Sequence, residues 1–165
     1  MIKLHLGCCG VIKEGFLNYD LAPGPGGIVQ DLTKPLPHAD NTVDFIMSEH
    51  FLEHITRPQA LELLKECYRV MKPGAICRTT VPGLSIVVED YLYGNRDRYG
   101  DFLKMDTPCQ MLNNSMRNWG HQYLYDLEDL MLLYKEAGFT NINSAPHGEY
   151  EVRGWTSEIT VEGKK

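Results

Sequence analysis

The chain has 165 residues, of which 43% are hydrophobic and 23% charged, a composition typical of one globular domain. Acidic residues outnumber basic ones by 22 to 16 and no basic run stands out, which argues against a nucleic-acid binder that neutralises phosphates. No apolar run reaches the roughly 20 residues of a membrane span, so we expect neither a span nor a secretory leader. The five cysteines lack CxxC spacing and are expected to be free thiols in the cytoplasm.

The first feature in chain order is a short apolar strand that ends in a glycine-containing turn. Ile2 to Leu6 is expected to form the strand, and Gly7-Cys8-Cys9-Gly10 follows at once. Glycine has no Cβ, so a ligand can approach the backbone of such a turn closely. A second strand, Gly15 to Tyr19, ends at Asp20, whose carboxylate can accept hydrogen bonds from a ribose diol. The connection between the strands is short for a parallel crossover. Either its helix is cut to about one turn or the strands are not neighbours.

Patterns of apolar residues, glycine and proline define the remaining elements. In the clearest helix Thr56 and Gln59 form a capping box, apolar residues recur at three- and four-residue spacing, and Lys72-Pro73-Gly74 ends the helix. A later helix is capped by Asp126, and its expected inner face consists of Leu127, Leu130, Met131, Tyr134 and Ala137. The predicted elements are a loop at 22–27, a short strand at 28–30, a surface loop at 32–41, a strand at 43–47, a helix at 56–71, a strand at 75–81, short helices and loops over 84–125, a helix at 126–137, and strands at 139–143 and 157–162.

Strands that alternate with helices indicate an α/β domain with a mostly parallel sheet. In such a sheet, ligands bind outside the C-terminal ends of the strands. Four predicted strand ends carry residues suited to ligand binding, namely Gly7 to Gly10, Asp20, Asp31 and Ser48 to His50. The sequence therefore predicts one binding site built from segments that are far apart in the chain.

The same segments resemble the class I S-adenosylmethionine-dependent methyltransferases, and most closely the small bacterial type 11 branch. The motifs are GFLNYD at 15–20, DL at 31–32, PLPHADNTVDFIMSEHFLEHI at 35–55, ELLKECYRVMKPGA at 62–75, TVPGL at 80–84, HQYLYD at 121–126, EAGF at 136–139 and ITVE at 159–162. The resemblance implies a Rossmann-like α/β fold, with a mostly parallel central sheet and helices on both faces. It also implies a single methyltransferase domain over 1–165, with S-adenosyl-L-methionine as cofactor and S-adenosyl-L-homocysteine as product.

The resemblance further implies roles for individual residues. The residues under the methionine part of the cofactor would be Leu6, Gly7, Cys8, Cys9 and Gly10. Asp20 would hold the ribose hydroxyls, and Asp31 with the Leu32 backbone would face the adenine. The wall between cofactor and acceptor would be formed by Ser48, Glu49 and His50. Cys9 departs from the family pattern, which usually has glycine at this position.

The acceptor side is expected to hold the groups that assist methyl transfer. His54 is the first choice as general base and His121 the second, with Tyr123 orienting the acceptor, and no residue is assigned to a metal. Residues 84–125 are expected to close over a small-molecule or sugar-type acceptor. Arg96, Arg98 and Arg117 could contact an anionic acceptor, although solvated surface arginines are the favoured interpretation. Neither a nucleic acid nor a membrane is expected as a partner, and the oligomeric state is not readable.

Three alternative interpretations stay open. His50-Phe51-Leu52-Glu53-His54 matches the HxxEH helix of inverted zinc peptidases, which would make the chain a metal-dependent hydrolase if a third ligand were present. A non-catalytic module that binds S-adenosylmethionine or a partner is the second alternative. In the third, Asp20 and Asp31 are turn residues whose carboxylates accept backbone amides.

Overall fold

The structure is a computed structural model that describes residues 1–94, 105–146 and 158–165. The strands are β1 (Lys3–Leu6), β2 (Leu17–Asp20), β3 (Ile28–Val29), β4 (Val43–Glu49), β5 (Met71–Pro82), β6 (Thr140–Ser144) and β7 (Glu158–Lys164). The helices are α1 (Arg57–Val70), α2 (Leu84–Tyr93), α3 (Pro108–Arg117) and α4 (Leu127–Glu136). In these ranges no helix combines the length and apolar character needed to cross a bilayer.

The strands form one sheet in the order β3-β2-β1-β4-β5-β7-β6. All neighbouring pairs are parallel except those that involve β7, which runs antiparallel to β5 and β6. The predicted α/β architecture with a mostly parallel sheet is therefore confirmed. Several predicted boundaries differ from the structure; in particular, β4 continues through Ser48 and Glu49, and β5 begins at Met71, directly after α1. Lys72-Pro73-Gly74 consequently lies inside the first part of a strand.

The connection between β1 and β2 contains no helix, yet these strands are neighbours. The side chain of Asn18 holds the turns of this connection together, accepting from the Lys13 amide at 2.9 Å and donating to the Phe16 carbonyl at 2.9 Å. Asn18 Oδ1 also lies 3.0 Å from Nδ1 of the buried His5. One buried amide therefore satisfies the backbone groups that a crossover helix would have satisfied internally.

Helices α1 and α4 pack on the same face of the sheet. From α4, the buried Tyr134 hydroxyl donates to Thr79 Oγ1 at 2.7 Å, and from α1 the Cys67 thiol contacts Cys77 on the same strand. The capping box of α1 is confirmed, since Thr56 and Gln59 bond reciprocally. The expected inner face of α4 is wrong at Leu127, which is 36% exposed, because Leu133 is turned to the core instead. The three connections that precede β4 contain no α-helix.

The segment 84–125 combines α2 and α3, which pack on each other, with a short 3₁₀ turn at Asn118–Gly120. The Leu84 amide donates to the Tyr125 carbonyl at 2.8 Å, so the two ends of the segment meet. Arg96 and Arg98 lie outside the described residues. The lid role of this segment stays a prediction.

Candidate functional site

The topology brings the predicted ligand-binding segments to one edge of the sheet. Since β2, β1 and β4 are neighbouring parallel strands, their C-terminal ends place Asp20, the turn 7–10 and His50 at the same edge. Asp31 follows β3, the next strand outward. The predicted convergence of these segments is thus present. Their contact with a cofactor remains a prediction.

Asp20 is joined directly to the glycine turn. Its Oδ2 accepts from the Cys9 amide at 2.9 Å and its Oδ1 from the Ala22 amide at 2.9 Å. These bonds are what the interpretation as a turn residue expects. A carboxylate has about four acceptor positions, however, so two backbone bonds leave capacity for ribose hydroxyls. The Asp20 carboxylate is therefore fixed in position and can still accept further hydrogen bonds.

Asp31 has a similar local arrangement. One of its oxygens accepts from the Thr33 amide at 2.9 Å and from the Thr33 hydroxyl at 2.6 Å. The hydrogen bond from the Thr33 side chain is the main reason that the pKa of Asp31 lies below its ordinary value. The neighbouring Leu32 side chain is buried in the core, so only its backbone could serve a ligand at this position.

The two glycines of the turn have different surroundings. A Cβ on Gly7 would lie 2.5 Å from Cβ and Cδ2 of Phe51. The Phe51 side chain thus packs closely against the Gly7 backbone, where a ligand was expected to approach. A Cβ on Gly10 would meet no other heavy atom within 4 Å, so this part of the turn is open. Sequence reasoning missed Phe51. The sequence signal for it was an apolar residue just past the predicted strand at 43–47, and its packing on Gly7 is a tertiary contact.

The paired cysteines of the turn also differ. Cys8 is buried, as expected of a small apolar residue, and burial raises the pKa of its thiol. Cys9 is exposed and adopts φ of +44°, in the left-handed region that glycine populates most readily. The Cys9 Cβ therefore does not crowd the interior. The consequence of having cysteine instead of glycine here is strain in the backbone at this residue.

The predicted wall residues are engaged inside the protein. Ser48 Oγ lies 3.2 Å from Thr79 Oγ1, and Glu49 is buried. The His50 ring contacts Glu53 Oε1 through Nδ1 at 3.2 Å and Glu158 Oε1 through Nε2 at 2.5 Å. Burial by itself lowers the pKa of His50, but the two carboxylates outweigh it and raise the pKa to about 9. His50 is thus an ionised link between the end of β4 and the start of β7.

The two predicted catalytic histidines lie together, with ring centroids 4.9 Å apart. The His121 segment is bonded to the Leu52–His54 turn, since the Gln122 amide donates to the Glu53 carbonyl and its side chain to the His54 carbonyl, both at 2.7 Å. His121 Nδ1 donates to the Ser115 carbonyl at 2.8 Å, which leaves the lone pair on Nε2. Burial lowers the pKa of His121.

Tyr123, which was expected to orient the acceptor, contacts helix α4. Its side chain contacts Asp129 of α4, and burial is the main cause that raises its pKa. Orientation of an acceptor by this hydroxyl stays a prediction.

The HxxEH segment at 50–54 does not form the helix that a zinc peptidase site would need. Only Leu52–His54 is helical here, as a single 3₁₀ turn, and His50 precedes it with φ of +54°. Both ring nitrogens of His50 already contact carboxylates. His50 and His54 consequently do not share one helical face, and the inverted-zincin arrangement is wrong for this segment.

Comparisons with known proteins agree with this architecture. Residues 15–79 match the family model described as a methyltransferase domain. The ubiquinone/menaquinone biosynthesis C-methyltransferase of a Ruegeria species is 33% identical over 113 residues, which are 64% of this chain and 42% of that protein. The chain thus spans less than half the length of this curated relative.

Solved structures show the same fold at low identity. A SAM-dependent methyltransferase from Archaeoglobus fulgidus gives a TM-score of 0.64 at 16% identity, covering 99% of this chain and 85% of that one. Human N-acetylserotonin methyltransferase in complex with SAM gives a TM-score of 0.62 at 16% identity. This match covers 99% of the present chain and 47% of the human one.

The fold is that of class I methyltransferases. The fold and the match of residues 15–79 to a methyltransferase domain agree with the resemblance predicted from the sequence. S-adenosylmethionine is the cofactor that this resemblance implies, and one of these similar structures contains SAM. The residues present fit this molecule, because an anchored carboxylate with spare acceptor capacity lies beside an open glycine turn.

Proposed function

We propose that the chain transfers the methyl group of S-adenosylmethionine to a small-molecule or sugar-type acceptor in the cytoplasm. The observation that carries this proposal is the bond between the Cys9 amide and Asp20, which joins the glycine turn to an acid at neighbouring strand ends. The domain match over residues 15–79 supports it independently.

In this proposal the chain holds the cofactor with residues from four strand ends. The binding residues are Leu6, Gly7, Cys8, Cys9, Gly10, Asp20, Asp31, Leu32, Ser48, Glu49 and His50. When bound, the cofactor would supply a methyl group on a sulfonium, which an acceptor atom can take in line while the carbon–sulfur bond breaks and S-adenosylhomocysteine is released. The residues of the chain contribute mainly by positioning, which provides roughly 7–11 kcal/mol in favourable cases.

His54 and His121 are proposed to act on the acceptor side. An acceptor that must lose a proton needs a base, and a placed imidazole contributes about 10²–10⁴-fold. His121 is suited to this task because its Nδ1 is committed to the Ser115 carbonyl and its Nε2 can receive a proton. His54 is one-third exposed, so acceptors can reach it. His50 is not assigned this role, because both of its nitrogens contact carboxylates.

The acceptor class is open to a direct search. The Ruegeria relative is named as a C-methyltransferase of ubiquinone/menaquinone biosynthesis, so a quinol-type ring belongs in the panel beside sugars and small phenols. Transfer of labelled methyl groups to any member of the panel supports the proposal. If the chain binds the cofactor but methylates none of them, the non-catalytic module becomes the better interpretation.

Cofactor binding is tested by calorimetric titration with S-adenosylmethionine and S-adenosylhomocysteine. Asp20→Asn removes the charge that would accept from ribose and should weaken binding at least about tenfold, since hydrogen bonds to charged groups contribute about 1.5–3 kcal/mol. Asp40→Asn is the matched control, because Asp40 is an exposed carboxylate paired with Arg69 away from these strand ends. No binding at millimolar cofactor overturns the proposal. Equal binding by both variants overturns the assignment of Asp20.

A further inference from the structure

Three side chains with metal-binding atoms meet beside the turn that follows β4. One ligand-type atom from each of Glu53, His54 and His121 lies within 4.8 Å of those of the other two. The two segments that carry these residues are joined by the bonds of Gln122 to the carbonyls of Glu53 and His54. The three side chains are therefore brought together by the fold.

The carboxylate of Glu53 is the feature that indicates a ligand. Its side chain is only 1% exposed, and Oε2 has no hydrogen-bond partner among the described residues. The other oxygen lies 3.2 Å from His50 Nδ1 and 3.9 Å from His54 Nε2. A buried carboxylate oxygen without a partner is costly, and a cation would satisfy it.

The histidines are arranged as metal-binding histidines usually are. His121 donates from Nδ1 to a backbone carbonyl, which fixes the ring and leaves Nε2 for a cation. His54 is 33% exposed, so its ring can turn and solvent can reach the cluster. Because Glu53 and His54 are adjacent and His121 comes from a distant segment, the sequence alone did not single out the third ligand.

We propose that Glu53, His54 and His121 form a binding site for a divalent transition-metal ion, with zinc as the reference ion. Two histidines and one glutamate are the protein ligands of one established type of zinc site, in which a fourth position takes water or another ligand. Tetrahedral bonds of about 2.0–2.2 Å place ligand atoms roughly 3.4 Å apart, so the cluster needs to contract by about 1 Å. Rotation of the partly exposed His54 ring can supply part of this movement.

This site goes beyond the proposed methyl transfer and does not depend on it. A cation bound to both imidazoles occupies the lone pairs that proton transfer would use. The metal-loaded protein therefore uses these histidines as ligands, and only the metal-free protein can use them as bases. Metal titrations in the absence of cofactor test the site whatever the outcome of the cofactor titrations.

The first test is calorimetric titration of the metal-free chain with zinc chloride. The wild type should bind one equivalent. Glu53→Gln should bind at least about tenfold more weakly and His121→Ala about a hundredfold more weakly, the scale of loss seen when metal sites are disturbed. His38→Ala is the control, because His38 is a half-buried histidine that contacts Tyr19 and lies outside the cluster. It should bind zinc like the wild type.

A second measurement separates this site from binding by exposed thiols, since Cys9 and Cys109 could also hold zinc. Cobalt bound at the proposed site should give visible ligand-field bands without a thiolate charge-transfer band, and the bands should persist in the Cys9→Ser/Cys109→Ser variant. At one zinc concentration, zinc should also raise the unfolding temperature of the wild type more than that of folded Glu53→Gln. Absence of zinc binding, equal binding by the cluster variants, or a thiolate spectrum that disappears with the two cysteines overturns the proposal.

Discussion

The backbone at Cys9 shows what a departure from the family pattern costs at the scale of one residue. A non-glycine residue in the left-handed region is disfavoured by about 1–2 kcal/mol, and Cys9 has φ of +44°. Its amide nevertheless donates to Asp20, which anchors the turn in this conformation. The hydrogen bond to Asp20 therefore stabilises the same backbone conformation that the left-handed φ of Cys9 disfavours.

Replacing this cysteine by glycine should stabilise the chain. Cys9→Gly removes the left-handed strain, and the flexibility of glycine in the unfolded chain offsets roughly 0.5–1 kcal/mol of that gain. The free energy of unfolding should rise by up to about 1 kcal/mol in urea titrations. Cys9→Ala, which keeps the Cβ, should stay close to the wild type. A loss of stability in Cys9→Gly would show that the thiol makes a favourable contact.

The neighbouring Gly7 is predicted to reject a side chain for a steric reason. Gly7→Ala would place a Cβ 2.5 Å from the Phe51 side chain and keep φ at +74°, so it should lose several kcal/mol, of which about 1–2 kcal/mol is backbone strain. Gly10→Ala is the matched control, because Gly10 has φ of +79° with open space beside it and should lose only the backbone part.

Urea unfolding of both glycine variants measures the difference. Adding Phe51→Ala to Gly7→Ala should recover the steric part of the loss but not the backbone part. Equal losses at Gly7 and Gly10 would show that the Phe51 ring can move away without cost.

Among the elements, α1 was predictable from the sequence because its determinants are local. The capping residues Thr56 and Gln59 are three positions apart, and the apolar face repeats within the helix. The first crossover could not be resolved in the same way. Asn18 replaces the helix there by bonding across the turn and to His5, a partner 13 positions away.

Helix α1 also holds the loop before β4, through one carboxylate. Glu66 accepts from Arg69 at 2.8 and 2.9 Å and from the Leu36 amide at 3.0 Å. The hydrogen bonds from Arg69 lower the pKa of Glu66, and burial and, more weakly, the nearby Asp40 oppose this. The stabilisation is therefore present above the ordinary glutamate pKa of about 4.3 and is lost as the pH falls through the lowered folded pKa.

Glu66→Gln should show this dependence directly. At neutral pH it should be less stable than the wild type, and the difference should shrink below about pH 4, where the wild-type carboxylate becomes protonated. Urea titrations across this range measure the difference. Glu62→Gln, an exposed carboxylate on the same helix that pairs with Lys65, should change stability little at any pH. A constant difference for Glu66→Gln would mean that Arg69 is not the main cause of its effect.

At the scale of the molecule, the sheet order explains which parts of the site the sequence could indicate. Strand ends that carry glycine or an acid can be recognised one by one, and the rule for parallel sheets brings them together. The rule gives no information about contacts made between loops. The placement of His121 against His54 depends on bonds between residues 68 positions apart, such as that from Gln122. The packing of Phe51 on Gly7 is likewise a product of tertiary structure.

The same sheet order makes a prediction about the whole chain that hydrogen exchange can test. S-adenosylhomocysteine bound across the ends of β1, β2 and β4 should slow amide exchange together in residues 7–10, 20–22, 31–33 and 48–51, because these segments lie at one edge of the sheet. β6 lies at the far side of the sheet and should exchange at the same rate with and without ligand. At one ligand concentration, Asp20→Asn should show weaker protection in all four segments, since they respond to one bound molecule. Protection confined to one segment, or equal protection at β6, would contradict a cofactor that spans these strand ends.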